Sequence, residues 1–137
     1  MGGISELIRV EENGSISFGN YTLSEKSKLK DFKHNGGSYK VKTYKEITKL
    51  ECNDMFVYES VPGTSVIGFT NTAEKVSFSV EGLEDAQITL ELEAEAEYEI
   101  TINGESVGVM RTNLGGKLSL SVELQENTSV SVIVEKK

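Results

Sequence analysis

The sequence predicts an all-β protein, an antiparallel β-sandwich with an N-terminal sub-domain rich in β-hairpins. From Gln87 to Ile102, apolar and polar side chains alternate over sixteen residues. This is the period of a strand whose side chains point in turn to opposite faces. Segments of the same period recur at about 8–12-residue intervals, which is typical of sandwiches and barrels. Thirteen glycines and a single proline favour many tight turns between those segments.

Turn residues divide the first part of the chain into six short segments. Asn13-Gly14 and Asn35-Gly36 are pairs that favour two-residue hairpins, and Asn53-Asp54 marks a further turn. One short helix is a candidate at 24–28, with Ser24 as its N-cap. The predicted strands are 7–10, 15–21, 28–33, 38–44, 46–51 and 55–60.

The Asn35-Gly36 turn also predicts the register of its hairpin. A two-residue loop places Phe32 opposite Tyr39 on one face and Asp31 opposite Lys40 on the other. An aromatic pair and a pair of opposite charges both stabilise an antiparallel ladder.

The second part of the chain shows seven more strand segments. The long alternation is expected to bend at Ala94 and Ala96, because strands usually run about 3–10 residues. The segment Leu92–Tyr98 then resembles the tyrosine corner of fibronectin type III domains, which favours an immunoglobulin-like sandwich. The alternative for Tyr98 is an ordinary core tyrosine. The predicted strands are 66–70, 75–81, 86–92, 97–103, 106–112, 117–124 and 128–135.

Charge divides the chain near its only proline, Pro62. Residues 1–60 hold nine basic and nine acidic side chains, whereas the remainder holds the whole net charge of −8. Eight lysines against two acids give residues 26–49 a net charge of +6, and residues 81–105 contain nine acids and no base. We therefore place a sub-domain boundary here, with a hairpin sub-domain at 1–62 and a β-sandwich at 63–137.

The basic segment 26–49 allows three interpretations. It is a polyanion site, a hairpin whose lysines protect edge strands, or a surface that docks on the acidic stretch 81–105 within or between molecules. The segment lacks arginine and the chain is acidic overall, so nucleic acid is not expected as a partner. The residues predicted to form a ligand or partner surface are Lys30, Lys33, Tyr39, Lys40, Lys42 and Tyr44.

No residue set predicts catalysis, a metal or a cofactor. His34 is the only histidine and lies in a predicted hairpin tip, where a solvated turn residue is the simpler interpretation. Cys52 is the only cysteine and is expected to be a spectator. One cysteine and one histidine do not make a usual zinc site.

The N-terminus has neither a basic stretch nor an apolar stretch of the kind found in signal peptides. We therefore expect a cytoplasmic protein, with an extracellular location left open. No apolar run approaches the roughly 20 residues that span a bilayer, so no membrane partner is expected.

Five segments of the chain carry a family resemblance, namely residues 39–51, 55–64, 84–91, 102–104 and 112–120. They resemble small bacterial proteins labelled endosialidase or endosialidase-like, a group of uncharacterised function. Sialidases use an arginine triad and, in many members, Asp-box repeats. This chain has only Arg9 and Arg111, no tryptophan and no Asp box, so sialidase activity is disfavoured.

These observations predict a non-catalytic protein that acts in protein–protein interaction or assembly, as a homo-oligomer or with a protein partner. The alternative is a carbohydrate-binding accessory module for an acidic glycan. Such modules stack sugar rings on aromatic side chains, and tyrosines are the main candidates in a chain without tryptophan.

Overall fold

The computed structural model describes residues 3–72 and 74–137, and this part of the chain forms thirteen strands. It contains no helix, and hence none long and apolar enough to cross a membrane. The strands are β1 (Ile8–Val10), β2 (Ile16–Phe18), β3 (Ser27–His34), β4 (Gly37–Tyr44), β5 (Ile47–Cys52), β6 (Met55–Val61), β7 (Ser65–Asn71), β8 (Lys75–Glu81), β9 (Ala86–Glu91), β10 (Glu97–Ile102), β11 (Glu105–Arg111), β12 (Lys117–Val122) and β13 (Ser129–Lys136).

The strands form two antiparallel sheets that pack face to face, and the predicted all-β antiparallel sandwich is confirmed. The seven-stranded sheet has the order β1-β2-β7-β8-β13-β10-β11. The six-stranded sheet has the order β12-β9-β6-β5-β4-β3. The helix predicted at 24–28 is wrong, since this segment is a bend that leads directly into β3.

Hydrogen-bonded ladders cross the predicted boundary at Pro62 in both sheets. β2 pairs with β7 in the seven-stranded sheet, and β6 pairs with β9 in the six-stranded sheet. Each of the segments 1–62 and 63–137 therefore contributes strands to both sheets. The net charge of the sequence changes at Pro62, but strands from the two sides of Pro62 pair with one another in each sheet.

The core lies between the inner faces, where the alternating apolar residues of both sheets meet. Burial of these side chains is the main source of stability in such a sandwich. At its centre the ring of Phe18 packs edge-on against Tyr58 and Phe69, with centroid distances of 5.2 and 5.7 Å. Tyr58 makes a similar contact with Phe78 at 5.8 Å.

The β3–β4 hairpin keeps only part of its predicted register. Phe32 pairs with Tyr39, as predicted. The predicted pairing of Asp31 with Lys40 is wrong, because Lys30 and Asp31 together lie opposite Lys40 in a β-bulge. Asp31 has a φ of 61° there, a conformation that aspartate tolerates better than most side chains.

The bend within the acidic alternation lies where it was predicted, between β9 and β10. The Tyr98 hydroxyl accepts a hydrogen bond from the backbone N–H of Glu93 at 3.2 Å. The ring itself is buried. Tyr98 therefore fixes the passage of the chain from one sheet to the other, as a tyrosine corner does.

Candidate functional site

The outer face of the six-stranded sheet carries a cluster of lysines that we call the lysine face. It consists of Lys26, Lys28, Lys40, Lys42 and Lys49. Strand alternation explains the cluster, because Val41 and Thr43 point into the core and their neighbours on β4 must point outward. The lysines come from β3, β4, β5 and the segment that leads into β3.

Three members of the lysine face stand in one row across neighbouring strands. Lys28 pairs with Lys42, and Lys42 pairs with Lys49. Neighbouring strands lie about 4.8 Å apart, so three positive charges are close together. Lys49 pairs in turn with Glu59 on β6, which ends the basic row.

Glu51 is the carboxylate that lies within the lysine face. Its oxygens are 3.8 Å from Lys40 Nζ and 3.5 Å from Lys49 Nζ. Partial burial and the charges of Lys26, Lys49, Lys28 and Lys40 lower the pKa of Lys42. The side chains of Lys40, Lys42, Lys49 and Glu51 line a shallow depression of about 160 Å³.

Tyr44 adds an aromatic ring to the same face. It lies two residues after Lys42 on β4 and is half-buried. Lys26 Nζ lies 5.8 Å from the centroid of its ring, within the range of a cation–π contact. The lysine face therefore combines concentrated positive charge with a partly exposed aromatic surface.

The six residues predicted to form a surface do not all lie together. Lys40, Lys42 and Tyr44 belong to the lysine face, whereas Lys33 lies farther along β3, opposite Ser38. Lys30 lies in the bulge and lines an open cavity of about 380 Å³ together with Tyr39 and Lys40. Tyr39 points to the other side of the sheet and packs against the core.

Sequence reasoning missed three members of the lysine face, namely Lys26, Lys28 and Lys49. A signal for Lys49 was available, since a two-residue turn at Lys45-Glu46 places Lys49 opposite Lys42. For Lys28 there was none, because the register predicted from the Asn35-Gly36 turn places Leu29 opposite Lys42. The position of the bulge in β3 decides whether Lys28 lies opposite Lys42, and no turn residue in the sequence marks that bulge.

A second candidate site is a cavity of about 330 Å³ at one end of the sandwich. It contains the only histidine and the only cysteine of the chain, which sequence reasoning treated as unrelated. Its lining residues are Gly14, Ile16, His34, Asn35, Tyr39, Cys52, Val57, Phe69, Thr70, Asn71 and Thr72.

The contacts of His34 and Cys52 in this cavity are structural. With its proton on Nε2, His34 donates a hydrogen bond to the carbonyl oxygen of Gly14 at 3.0 Å, which ties the β3–β4 hairpin to the β1–β2 turn. Burial and the neighbouring Cys52 raise the pKa of the Tyr39 phenol. Among the described residues no hydrogen bond joins Cys52 to His34, so the two do not form a nucleophile–base pair of the usual geometry.

A third candidate is the free edge of the seven-stranded sheet, formed by β11. All seven residues of β11 are exposed. Val107, Val109 and Met110 are 61%, 50% and 38% exposed, and Leu114 in the following turn is 81% exposed. Four of the nine exposed large apolar side chains described for the chain therefore lie within eight residues.

The lysine face and the acidic stretch 81–105 do not dock within one molecule. Glu97 and Glu99 alternate with buried residues of β10 and lie on the outer face of the opposite sheet. In the described part of the chain, the ion pairs of the lysine face are with Glu51, whereas Glu91 pairs with Lys117 at 3.1 Å. Glu97 and Glu99 thus lie on the side of the sandwich opposite the lysine face, whereas the part of the stretch in β9 belongs to the six-stranded sheet and is separated from the lysine face by β6.

Comparison of the chain with models of protein families, with curated proteins and with solved structures found no match.

Proposed function

We propose that this protein is a non-catalytic interaction module that takes part in protein–protein assembly through the edge strand β11. The observation that carries the proposal is the complete exposure of β11 together with the apolar side chains of Val107 and Val109. An exposed edge strand presents unpaired backbone N–H and C=O groups to a further strand. Pairing of backbone groups and burial of apolar side chains would then stabilise the contact together.

The other three sheet edges have features that discourage such pairing. β1 is only three residues long. β3 contains three lysines and a bulge, and β12 presents Lys117 and two serines outward. Short edge strands and edge lysines are common protections against edge-to-edge contact. β11 also has a bulge, at Val107, but its sequence Glu-Ser-Val-Gly-Val-Met-Arg contains no lysine or proline.

The charges at the two ends of β11 favour a second copy of the chain as the partner. β11 begins with Glu105 and ends with Arg111. When two copies run antiparallel with Gly108 facing Gly108, Glu105 of each copy lies beside Arg111 of the other. A Cβ added to Gly108 would meet nothing within 4 Å, so the middle of the strand is open to approach. Such a contact is self-complementary about a two-fold axis.

The experiment measures molar mass by light scattering across a range of protein concentrations. We expect dimers that dissociate on dilution, and we expect Val109→Lys to yield monomers because it places a charge on the paired edge. Leu83→Lys is the matched control, since Leu83 is 56% exposed but lies outside the edge. A protein that is monomeric at all concentrations, or equal effects of both variants, would contradict self-assembly through β11.

Charge exchange tests the antiparallel register itself. Glu105→Arg and Arg111→Glu each place like charges beside one another in a self-pair, so each variant alone should dimerise more weakly. A 1:1 mixture of the two variants restores opposite charges at both ends, and we expect mixed dimers to form preferentially. If Val109→Lys disrupts the dimer but the charge exchange has no effect, the contact is made by β11 and the proposed register is wrong.

A further inference from the structure

The row Lys28–Lys42–Lys49 is an arrangement that destabilises the free protein. Like charges directly opposite one another on neighbouring strands are unfavourable. Here the unfavourable pairing occurs twice, once between β3 and β4 and once between β4 and β5. Glu51 contacts Lys40 and Lys49, whereas Lys42 lies between the two other members of the row.

Edge protection does not account for this row. Lys28 lies on the edge strand β3, but Lys42 and Lys49 lie on β4 and β5, which are paired on both sides. Solubility does not account for it either, because the chain already carries a net charge of −8. An island of positive charge on an acidic protein is therefore best explained by what binds to it.

We infer that the lysine face binds an anionic polysaccharide, whose carboxylate or sulfate groups lie along the row Lys28–Lys42–Lys49. The shallow depression lined by Lys40, Lys42, Lys49 and Glu51 receives one anionic group of the polymer, which the three ammonium groups attract against the single carboxylate. A sugar ring packs on the exposed side of Tyr44, next to Lys26. The polymer thus crosses β3, β4 and β5 at right angles to the strands and neutralises the repulsion between them.

The composition of the face favours a polysaccharide over a nucleic acid. The face contains lysine and no arginine, whereas arginine is the residue that recognises phosphate in bidentate fashion. Double-stranded DNA carries about one charge per 1.7 Å, and a protein with this net charge repels so dense a polyanion. A polysaccharide with fewer charges per unit length suits a patch of five lysines on an acidic body.

The test uses the full chain and measures binding by titration calorimetry at low salt. The probes are heparin and polygalacturonate, with neutral dextran, double-stranded DNA and polyglutamate as comparisons. We expect heparin or polygalacturonate to bind, dextran not to bind, and affinity to fall as salt is added. Equal or tighter binding of DNA or polyglutamate would overturn the inference, because charge alone would then explain the attraction.

The variant Lys42→Gln/Lys49→Gln should lower affinity for the polysaccharide by about tenfold for each lysine removed. Lys75→Gln/Lys137→Gln is the matched control, which removes the same charge elsewhere and should leave affinity almost unchanged. Both double variants should stay folded by circular dichroism, and the first should unfold at the same temperature as the parent or higher because repulsion is relieved. Equal losses of affinity in the two double variants, or no binding of either polysaccharide, would overturn the site.

Discussion

The phenolic oxygen of Tyr58 lies 2.8 Å from the hydroxyl oxygen of Thr64, inside a polar network that is entirely buried. Ser60 Oγ lies 2.8 Å from the same Thr64 hydroxyl. The hydroxyl of Thr48 donates to the Thr64 carbonyl at 2.7 Å and accepts from its N–H at 3.1 Å. The segment that connects β6 to β7 is thus bound to the interior of the six-stranded sheet by several hydrogen bonds.

Removal of the Tyr58 hydroxyl should weaken this network. We expect Tyr58→Phe to lower the free energy of unfolding by about 1–2 kcal/mol, because a buried hydrogen bond is lost while the ring packing is kept. Urea denaturation measures the change. Tyr44→Phe is the matched control, since Tyr44 lies on the outer face and its variant should stay within about 0.5 kcal/mol of the parent. Equal stability of Tyr58→Phe and the parent would show that the Tyr58 hydroxyl contributes nothing to stability.

Tyr58 should also make the protein sensitive to alkali. Burial raises the pKa of Tyr58 to about 12, from an ordinary value of 10.0. The neutral phenol is the form that the folded state favours, so its contribution is fully present below pH 10 and is lost as the pH rises through about 12. The expected loss is on the order of 2–3 kcal/mol. Between pH 10 and pH 12 the free energy of unfolding of Tyr58→Phe should fall less than that of the parent. Identical pH profiles of the two proteins would show that Tyr58 is not the source of the alkali sensitivity.

Glu11 should make a small contribution that is lost in acid. Its hydrogen bonds from Ser17 and Arg9 lower the pKa of the Glu11 carboxyl below its ordinary value of 4.5. The stabilisation is therefore present above pH 4.5 and is lost as the pH falls through the lowered pKa. We expect Glu11→Gln to cost about 1 kcal/mol at neutral pH and to flatten the acid side of the stability profile. Glu12→Gln, at an exposed neighbour, should change neither, and an equal effect of the two variants would reject the prediction.

Gly63 should tolerate no side chain. A Cβ at this position would lie 2.0 Å from the carbonyl oxygen of Tyr44, too close for two atoms that are not bonded. We expect Gly63→Ala to destabilise the protein by about 3 kcal/mol or more, since backbone must move on both sides. Gly104→Ala is the control, because its Cβ meets nothing within 4 Å and only its φ of 84° opposes alanine, at a cost of about 1 kcal/mol. Thermal unfolding of both variants measures the difference. Equal losses of stability in the two variants would mean that the loss of glycine, and not a steric clash at Gly63, is responsible.

The tyrosine corner should be measurable as a single hydrogen bond. Tyr98→Phe removes the acceptor for the Glu93 N–H and should lower the free energy of unfolding by about 1 kcal/mol. Hydrogen exchange at the Glu93 amide should accelerate at the same time, while amides of β6 keep their protection. Unchanged exchange at Glu93 would show that the corner does not depend on the hydroxyl.

Local pattern was sufficient to predict the strands. Each of the thirteen predicted segments overlaps one strand, and the bounds differ most at residues 15–21, where β2 ends at Phe18 before Gly19 with a φ of 92°. Alternation and turn residues act between near neighbours in the chain, so they can be read without knowing the fold. The same reasoning failed at Asp31, because the bulge there depends on how the hairpin fits the sheet.

The pairing of distant strands and the composition of the candidate sites were decided by tertiary structure. β2 pairs with β7 across about fifty residues, and no side chain near either strand specifies that partner. His34 and Cys52 line one cavity, and Tyr39 packs against the core and not beside Lys40 and Lys42 on the outer face. Both placements depend on how the sandwich orients each strand. The sequence by itself determined that the chain forms strands with one apolar and one polar face. Which faces and edges meet depends on packing between remote segments, since burial of apolar surface is not directional and many pairings satisfy the same alternation.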